Sequence, residues 1–472
     1  MDASFLYFEK KEAPINIGST IVINGLISFT EFKKMVVSKL PLLPRYRQKL
    51  VIPPFHTGHP TWEFDPDFDI DRHILEVTLE APGTLEELRV LSGKLQSTML
   101  DRSKPLWEIY LVNGLEKNRC ALITKVHHAM ADGISGVDLL EIVLDTSPNP
   151  PPPPEPEVEA PPPTPSSGRD ISRRLVDSWV DELEEALKSW TTFQRNLLNL
   201  TEILLHEPDR IVKPLALNLV PTLTSPAPLL PFNKPNTGQL ELSWSEFFLD
   251  EAKAIRAELG GTVNDVVLTV LAGAVAGYLK MHHDTLAGRS LRLMVPVSMR
   301  NPDQNGALGN LVSMLPVEIP LDLEDSLERY AFVVQETGKL KEGHVAEEVY
   351  LGTSLWGTVP AATQELLGSI ADTPVPLVNT VCTNVPGPKV KLYALGKPVT
   401  HCYPYVPTAY HVGLSCAILS YDRKLFFGLT ADAKAVPDLN QHFKPLLEQA
   451  FTDLREAAGV EKTKVLQSAS KK

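Results

Sequence analysis

A dense run of proline divides this chain. Eleven of the eighteen residues from 148 to 165 are proline. Each proline lacks a backbone N–H and fixes φ, so no helix or central strand can cross this stretch. Such a run favours extended polyproline II at about 3.1 Å per residue and acts as a semi-rigid spacer. The alternative is a recognition ligand for proline-binding domains. With 472 residues, the chain exceeds the ~250–300 at which a single core stops growing. Two domains are therefore expected, at 1–147 and 239–460, joined by a linker at 148–238 and followed by a polar tail at 461–472.

The linker has further parts. Ile171, Leu175, Trp179, Leu183, Leu187 and Trp190 recur at steps of three or four and predict an amphipathic helix within 170–206. Asp177, Asp181, Glu184 and Glu185 load its other face. Interfacial membrane helices usually carry Lys and Arg there, so packing between domains is favoured over lying on a membrane. Seven prolines break 208–236 into a crossover loop.

Both flanks alternate strand and helix. Before the linker, Ile17–Ile23, Leu106–Val112 and Cys120–Val126 read as strands and Thr84–Thr98 as a helix. After it, Leu240–Phe248 and Leu291–Val297 read as strands. Val263–Leu279, capped by Thr262 or Asn264, and Asp325–Glu342 read as helices. Val412–Leu419 and Lys424–Ala431 form a hairpin, and Asn440–Ala457 a final helix. The pattern is mixed α/β.

Composition narrows the function. The 45 basic and 58 acidic residues leave a net charge of −13, a poor footing for nucleic acid or for adhesion to anionic lipid by charge alone. Cys120, Cys382, Cys402 and Cys416 show no CxxC spacing, which predicts neither a zinc site nor a disulfide framework and suits a reducing cytosol. Met1–Glu9 lacks the basic start of a signal peptide. Val266–Leu279 is too short to span a bilayer and reads as a core helix. A cytoplasmic protein is expected, with peripheral contact to the inner membrane or to lipid droplets left open.

The segment richest in chemistry is Lys125-Val126-His127-His128-Ala129-Met130-Ala131-Asp132-Gly133. A hydrophobic strand runs in and a helix, roughly Ser135–Leu144, runs out. Successive side chains on a strand point to opposite faces. One histidine can then face a cleft while the other packs or orients the corner. A neutral imidazole suits proton abstraction from a hydroxyl, worth about 10²–10⁴ in rate. Asp132 is read as holding the loop through a buried ion pair, and Asp132-Gly133 as fixing the turn. Ordinary core histidines are the competing reading. A metal site lacks further ligands at suitable spacing, and a serine hydrolase lacks any G-x-S-x-G elbow. A second pair, His282-His283, lies in a polar stretch and reads as surface.

His127–Gly133 resembles the HHxxxDG signature of the chloramphenicol acetyltransferase-like superfamily, which includes peptide-synthetase condensation domains. Pro105-Leu106-Trp107 resembles the PLW motif of the bacterial wax ester synthase/diacylglycerol acyltransferase family, and Asn264-Asp265 its ND motif. Ser298-Met299-Arg300 with Gly309-Asn310, and Asn384-Val385-Pro386-Gly387-Pro388, resemble two further segments of that family. Asp2 to Glu9, and Trp62, Phe68-Asp69 and His73, follow its layout. The motifs keep the family's order over about residues 1–455; the long proline run is the main departure.

The resemblance implies an α/β fold of two chloramphenicol acetyltransferase-like domains, each a mixed sheet flanked by helices, with a tunnel between them. It implies an O-acyltransferase taking a long-chain acyl group from acyl-CoA, as co-substrate, to diacylglycerol or a long-chain fatty alcohol. No permanently bound cofactor, metal or nucleic acid is expected. His128 becomes the base, with His127 beside it, and Asn264 an oxyanion donor or else only a helix cap. Arg300 becomes the partner of Asp132 or a contact to the anionic co-substrate. Pro105, Leu106, Trp107, Asn384, Pro386 and Gly387 are assigned to the tunnel, although Trp107 on a strand is core by default. A condensation-type or carrier-protein-dependent acyltransferase and a non-catalytic lipid-binding protein are the rival functions.

Overall fold

The computed structural model describes residues 2–52, 60–130, 140, 143–150, 227–298, 312–342 and 377–463. Most of the proline run, the helix expected within 170–206, most of the crossover, Asp132, Gly133, most of the helix expected at Ser135–Leu144, Arg300 and Gly309-Asn310 lie outside the described residues.

Helix α1 (Asp2–Phe8) leads into strand β1 (Asn16–Ile23) and helix α2 (Phe29–Lys39). A small hairpin follows, β2 (Gln48–Val51) with β3 (Thr61–Phe64). Then come β4 (Ile74–Thr78), α3 (Leu85–Gln96), β5 (Trp107–Leu115) and β6 (Arg119–His127). Thr84 caps α3 in a reciprocal box with Glu87, which satisfies backbone donors at the start of the helix. That is why α3 begins where its sequence pattern does.

The second half holds β7 (Leu240–Phe248), α4 (Leu249–Leu259), α5 (Val263–Met281), β8 (Ser290–Ser298), β9 (Val312–Pro320) and α6 (Ser326–Glu342). It continues with β10 (Thr380–Val385), β11 (Tyr393–Ala394), β12 (Lys397–Tyr405), β13 (Leu414–Tyr421), β14 (Lys424–Asp432) and α7 (Lys444–Ala457). α5 is apolar and long enough to cross a membrane, but 72% of its most apolar window is buried. It is the core helix its sequence suggests, packed on α6 and α7.

Two six-stranded sheets organise the chain, ordered β11-β12-β1-β6-β5-β4 and β7-β14-β13-β10-β8-β9. Both are mixed. β4 runs parallel to β5, and β10 runs parallel to β13 and β8. The remaining pairs in these sheets are antiparallel.

The sheets do not follow the linear division at 148–238. β11 and β12, expected within a 239–460 domain, belong to the first sheet, where β12 pairs with β1 from Gly18↔Tyr405 to Ile23↔Val399. The cause is local to β12 and its surroundings. Val399, Cys402, Tyr403 and Tyr405 are buried, and Tyr403 stacks on Trp244 of β7 at 4.3 Å. Tyr403 Oη donates to Glu246 Oε1 at 2.5 Å. Gly428 of β14 lies so close that a Cβ there would stand 1.9 Å from Pro404 O. β12 thus ties the two sheets together.

Candidate active site

β6 is a central strand between β1 and β5, and every side chain from Cys120 to His127 is buried. An apolar run from Cys120 to Ile123, then Thr124, Lys125 and Val126, brings the histidine pair to the strand's end. There the backbone is held from both sides. His127 N–H donates to Leu106 O (3.0 Å) and His128 N–H to Ile15 O (2.9 Å). Met130 N–H closes the turn onto His127 O (2.9 Å).

The two rings then part company, because β6 ends at His127 and His128 lies in the turn. His127 is 1% exposed, and His128 is half-buried. His127 Nδ1 accepts from Ala129 N–H at 3.0 Å. A backbone N–H can only donate, so Nδ1 is unprotonated and the ring proton sits on Nε2. That nitrogen faces Glu9 Oε1 at 3.4 Å. Glu9 Oε1 also accepts from Ile15 N–H (3.0 Å), and Oε2 accepts from Arg102 Nη2 (2.9 Å). Burial alone would raise the Glu9 carboxyl, but His127, Arg102 and the Ile15 amide together outweigh it and hold it at about 2. The carboxylate is therefore charged at neutral pH and fixes the His127 tautomer. His128 stacks on Phe5 of α1, ring centres 4.2 Å apart and planes 18° apart.

Behind His127 on the same strand face lies Lys125, 1% exposed. Its Nζ donates to Thr98 Oγ1 at 2.6 Å and stands 3.9 Å from Glu108 Oε2. Burial draws its ammonium down to about 8 against the opposing pull of Glu108 and Glu9. Glu108 also accepts from Lys104 (3.0 Å) and Tyr110 Oη (2.7 Å). Asn16, opposite His127 on β1, donates to Gln96 O and Thr98 O. The corner is thus underlain by a buried, hydrogen-bonded set of charges, which is costly unless its members pair.

Pro105, Leu106 and Trp107 are all buried. Trp107 Nε1 donates to Tyr46 O (2.8 Å), and its ring stacks on His73 at 4.5 Å. His73 Nδ1 donates in turn to Trp107 O at 2.8 Å. The motif is a packed brace whose Leu106 carbonyl receives His127 N–H. Trp107 also borders an apolar cavity of about 30 Å³ with Val36, Leu40, Leu43, Tyr46 and Val126.

Asn264 does not cap α5. Thr262 does, in a reciprocal box with Asp265. Asp265 Oδ1 also accepts from Thr337 Oγ1 of α6 at 2.8 Å. The aspartate of this dipeptide is structural, and Asn264 is half-buried in the first turn. The described partners of the histidine corner are Phe5, Glu9, Ile15, Leu106 and Ala129, and none of these contacts involves Asn264.

Asn384 pairs with Ile418 in the parallel β10–β13 ladder and is half-buried; Pro386 is exposed. Gly387 N–H donates to Ser420 Oγ at 3.1 Å, and a Cβ there would stand 1.9 Å from Ser420 O. Glycine is required for backbone contact with β13. His282 and His283 are exposed. Among the described residues, no group of three or more His, Cys, Asp or Glu is arranged to hold a metal ion.

Glu9 and Phe5 are the site residues that motif reading missed. A carboxylate followed closely by Ile15, which receives the backbone of a histidine pair, leaves no local periodic signal.

Known proteins are similar to this chain over nearly its whole length. A family model described as "Wax ester synthase/diacylglycerol acyltransferase catalytic domain" matches residues 1–267, and "WS/DGAT C-terminal domain" matches 308–455. A probable diacylglycerol O-acyltransferase of Mycobacterium tuberculosis, tgs1, is 29% identical over 445 residues, covering 93% of this chain and 92% of its own. The wax ester synthase/diacylglycerol acyltransferase of Marinobacter aquaeolei VT8 is similar in structure with a TM-score of 0.67 at 24% identity, covering 97% of this chain and 98% of that one. The starter condensation domain of rhizomide synthetase shares the fold at a TM-score of 0.56 and 12% identity, covering 98% and 92%.

Proposed function

The chain belongs to the wax ester synthase/diacylglycerol acyltransferase family and is an acyltransferase, and from that premise we propose that it moves a long-chain fatty acyl group from acyl-CoA to a diacylglycerol or fatty-alcohol hydroxyl, with His128 as general base. The observation that carries the assignment of the base is the contrast at the corner. His127 is buried with its tautomer fixed by Glu9 and Ala129, while His128 beside it is half-buried.

In the proposed reaction the His128 imidazole takes the acceptor hydroxyl's proton as its oxygen attacks the thioester carbon. The C–O bond forms and the C–S bond breaks. Coenzyme A leaves as a thiolate and takes the proton back from the imidazolium. No acyl-enzyme is required. Asn264 is retained as a proposed oxyanion donor; the capping alternative is removed by Thr262. Asp132 and Arg300 are proposed as a pair bracing the loop. The substrates are proposed to meet in a tunnel between the domains, with the protein cytoplasmic and peripheral on the inner membrane or lipid droplets.

Thiol release from palmitoyl-CoA, measured with dioleoylglycerol, with hexadecanol and with neither, tests the reading. Release that requires an acceptor supports it, and the preferred acceptor separates triacylglycerol from wax ester synthesis. Release independent of any acceptor makes the protein a thioesterase and defeats the proposal.

A further inference from the structure

Phe5 of α1 packs partly buried against the first core and also stacks on His128. α1 is also anchored through Arg102, whose Nη2 donates to Leu6 O at 3.0 Å and to Glu9. Leu6 is the α1 side chain buried in the first core, and Phe5 lies at its edge. Phe5 itself is only half-buried. Its ring nevertheless lies face to face with the imidazole, 4.2 Å away and 18° from parallel.

We propose that Phe5 is a positioning residue of the transfer reaction: its ring sets the plane of the His128 imidazole and its π face stabilises the positive charge that the imidazole gains on taking the hydroxyl proton. The inference rests on His128 being the base. An aromatic face attracts a cation within about 6 Å of its centre through the ring quadrupole. The ground-state imidazole is neutral and the transition state carries developing positive charge. The attraction therefore grows along the reaction, which is the condition for lowering a barrier. The same one short segment places Glu9 on His127 and Phe5 on His128, so both rings are set by residues from before β1.

The charge on His128 also feels its surroundings. The charged groups described around the corner are Glu9 and Arg102 beside His127, and Lys125, Glu108 and Lys104 behind it. Substitution at Phe5 changes none of them, so a change in the pH profile reports the lost ring.

The test is the pH dependence of kcat/KM for thiol release by the parent, Phe5→Leu and Phe5→Tyr. The acid limb marks protonation of the base. Leucine fills the space without a π face. It should lower kcat/KM two- to fivefold and move the acid limb about half a pH unit lower, since the imidazolium loses a stabilising neighbour, on the usual scale of such interactions. Phe5→Tyr keeps the face and should keep the parent's limb, which holds even if leucine loosens α1. A Phe5→Leu protein with the parent's rate and limb overturns the proposal. A rate loss with an unmoved limb also overturns it, because that is a packing effect. His128→Ala made alongside separates the two failures. If His128→Ala still turns over, the reading of the base is wrong. If it is inactive while Phe5→Leu behaves as the parent, only the role of Phe5 falls.

Discussion

The chain contains the dipeptide His-His twice, and the two copies show what turns a histidine pair into a site. His127-His128 ends a central strand. Its first ring is 1% exposed and faces a carboxylate that is also 1% exposed. His282-His283 follows the end of α5. His282 Nε2 meets Asp438 Oδ2 at 3.0 Å, a shorter contact, but His282 is 43% exposed. Distance alone ranks the second pair higher. Burial reverses the order, because water screens the exposed contact and little is lost when it breaks. At the first pair, removing either partner leaves an uncompensated charge or donor in the interior.

The largest break in that comparison is His128→Ala, expected to lower kcat/KM by about 10² or more, the usual contribution of a positioned base. His283→Ala should stay within about twofold of the parent, as surface changes away from a site usually do. Equal losses in the two variants, read in the same thiol-release assay, would erase the distinction.

Glu9→Gln comes next. It removes the charge facing His127 and leaves Arg102 without its buried counter-ion, so a loss of about 3–5 kcal/mol is expected in denaturant unfolding. The pH dependence has a definite sign. The folded carboxyl sits at about 2 against an ordinary 4.5. Its stabilisation is fully present above about 4.5 and is lost as pH falls through about 2, because only the unfolded state binds the proton in between. Glu9→Gln should lack this component of acid sensitivity. A variant with the parent's stability from pH 7 to pH 3 would show that Glu9 is idle.

Trp107→Phe probes the brace behind the corner. It keeps the ring stacked near His73 but removes the donor to Tyr46 O. A cost of about 1–3 kcal/mol is expected for the buried acceptor left without it. The smallest effect belongs to His282→Ala, at most about 1 kcal/mol in thermal unfolding with unchanged turnover. A larger loss there than in Trp107→Phe would invert the ranking by burial.

Much of this was legible in the sequence, and the reasons differ by element. β6 and α5 announce themselves by apolar runs bounded by turn and cap residues, and the structure places both as core. Strand alternation gave the expectation that His127 and His128 differ in role; they differ in burial, with β6 ending at His127. β12 was not legible. Lys397–Tyr405 carries two prolines and His401, which blur its alternation, and it pairs with β1 from the far end of the chain. Pairing over such a separation leaves no mark in a local window. Glu9 and Phe5 escaped for the same reason: their partners lie more than a hundred residues away. The cap on α5 was narrowed to two residues and only side-chain geometry chose Thr262.

The central claim is that the His128 ring itself accepts the substrate's proton. Chemical rescue tests it most directly. His128→Gly is assayed for acceptor-dependent CoA release with and without added imidazole. The account predicts a rate reduced about a hundredfold or more that rises with the concentration of the neutral imidazole. A His128→Gly protein turning over at the parent's rate without imidazole would contradict it.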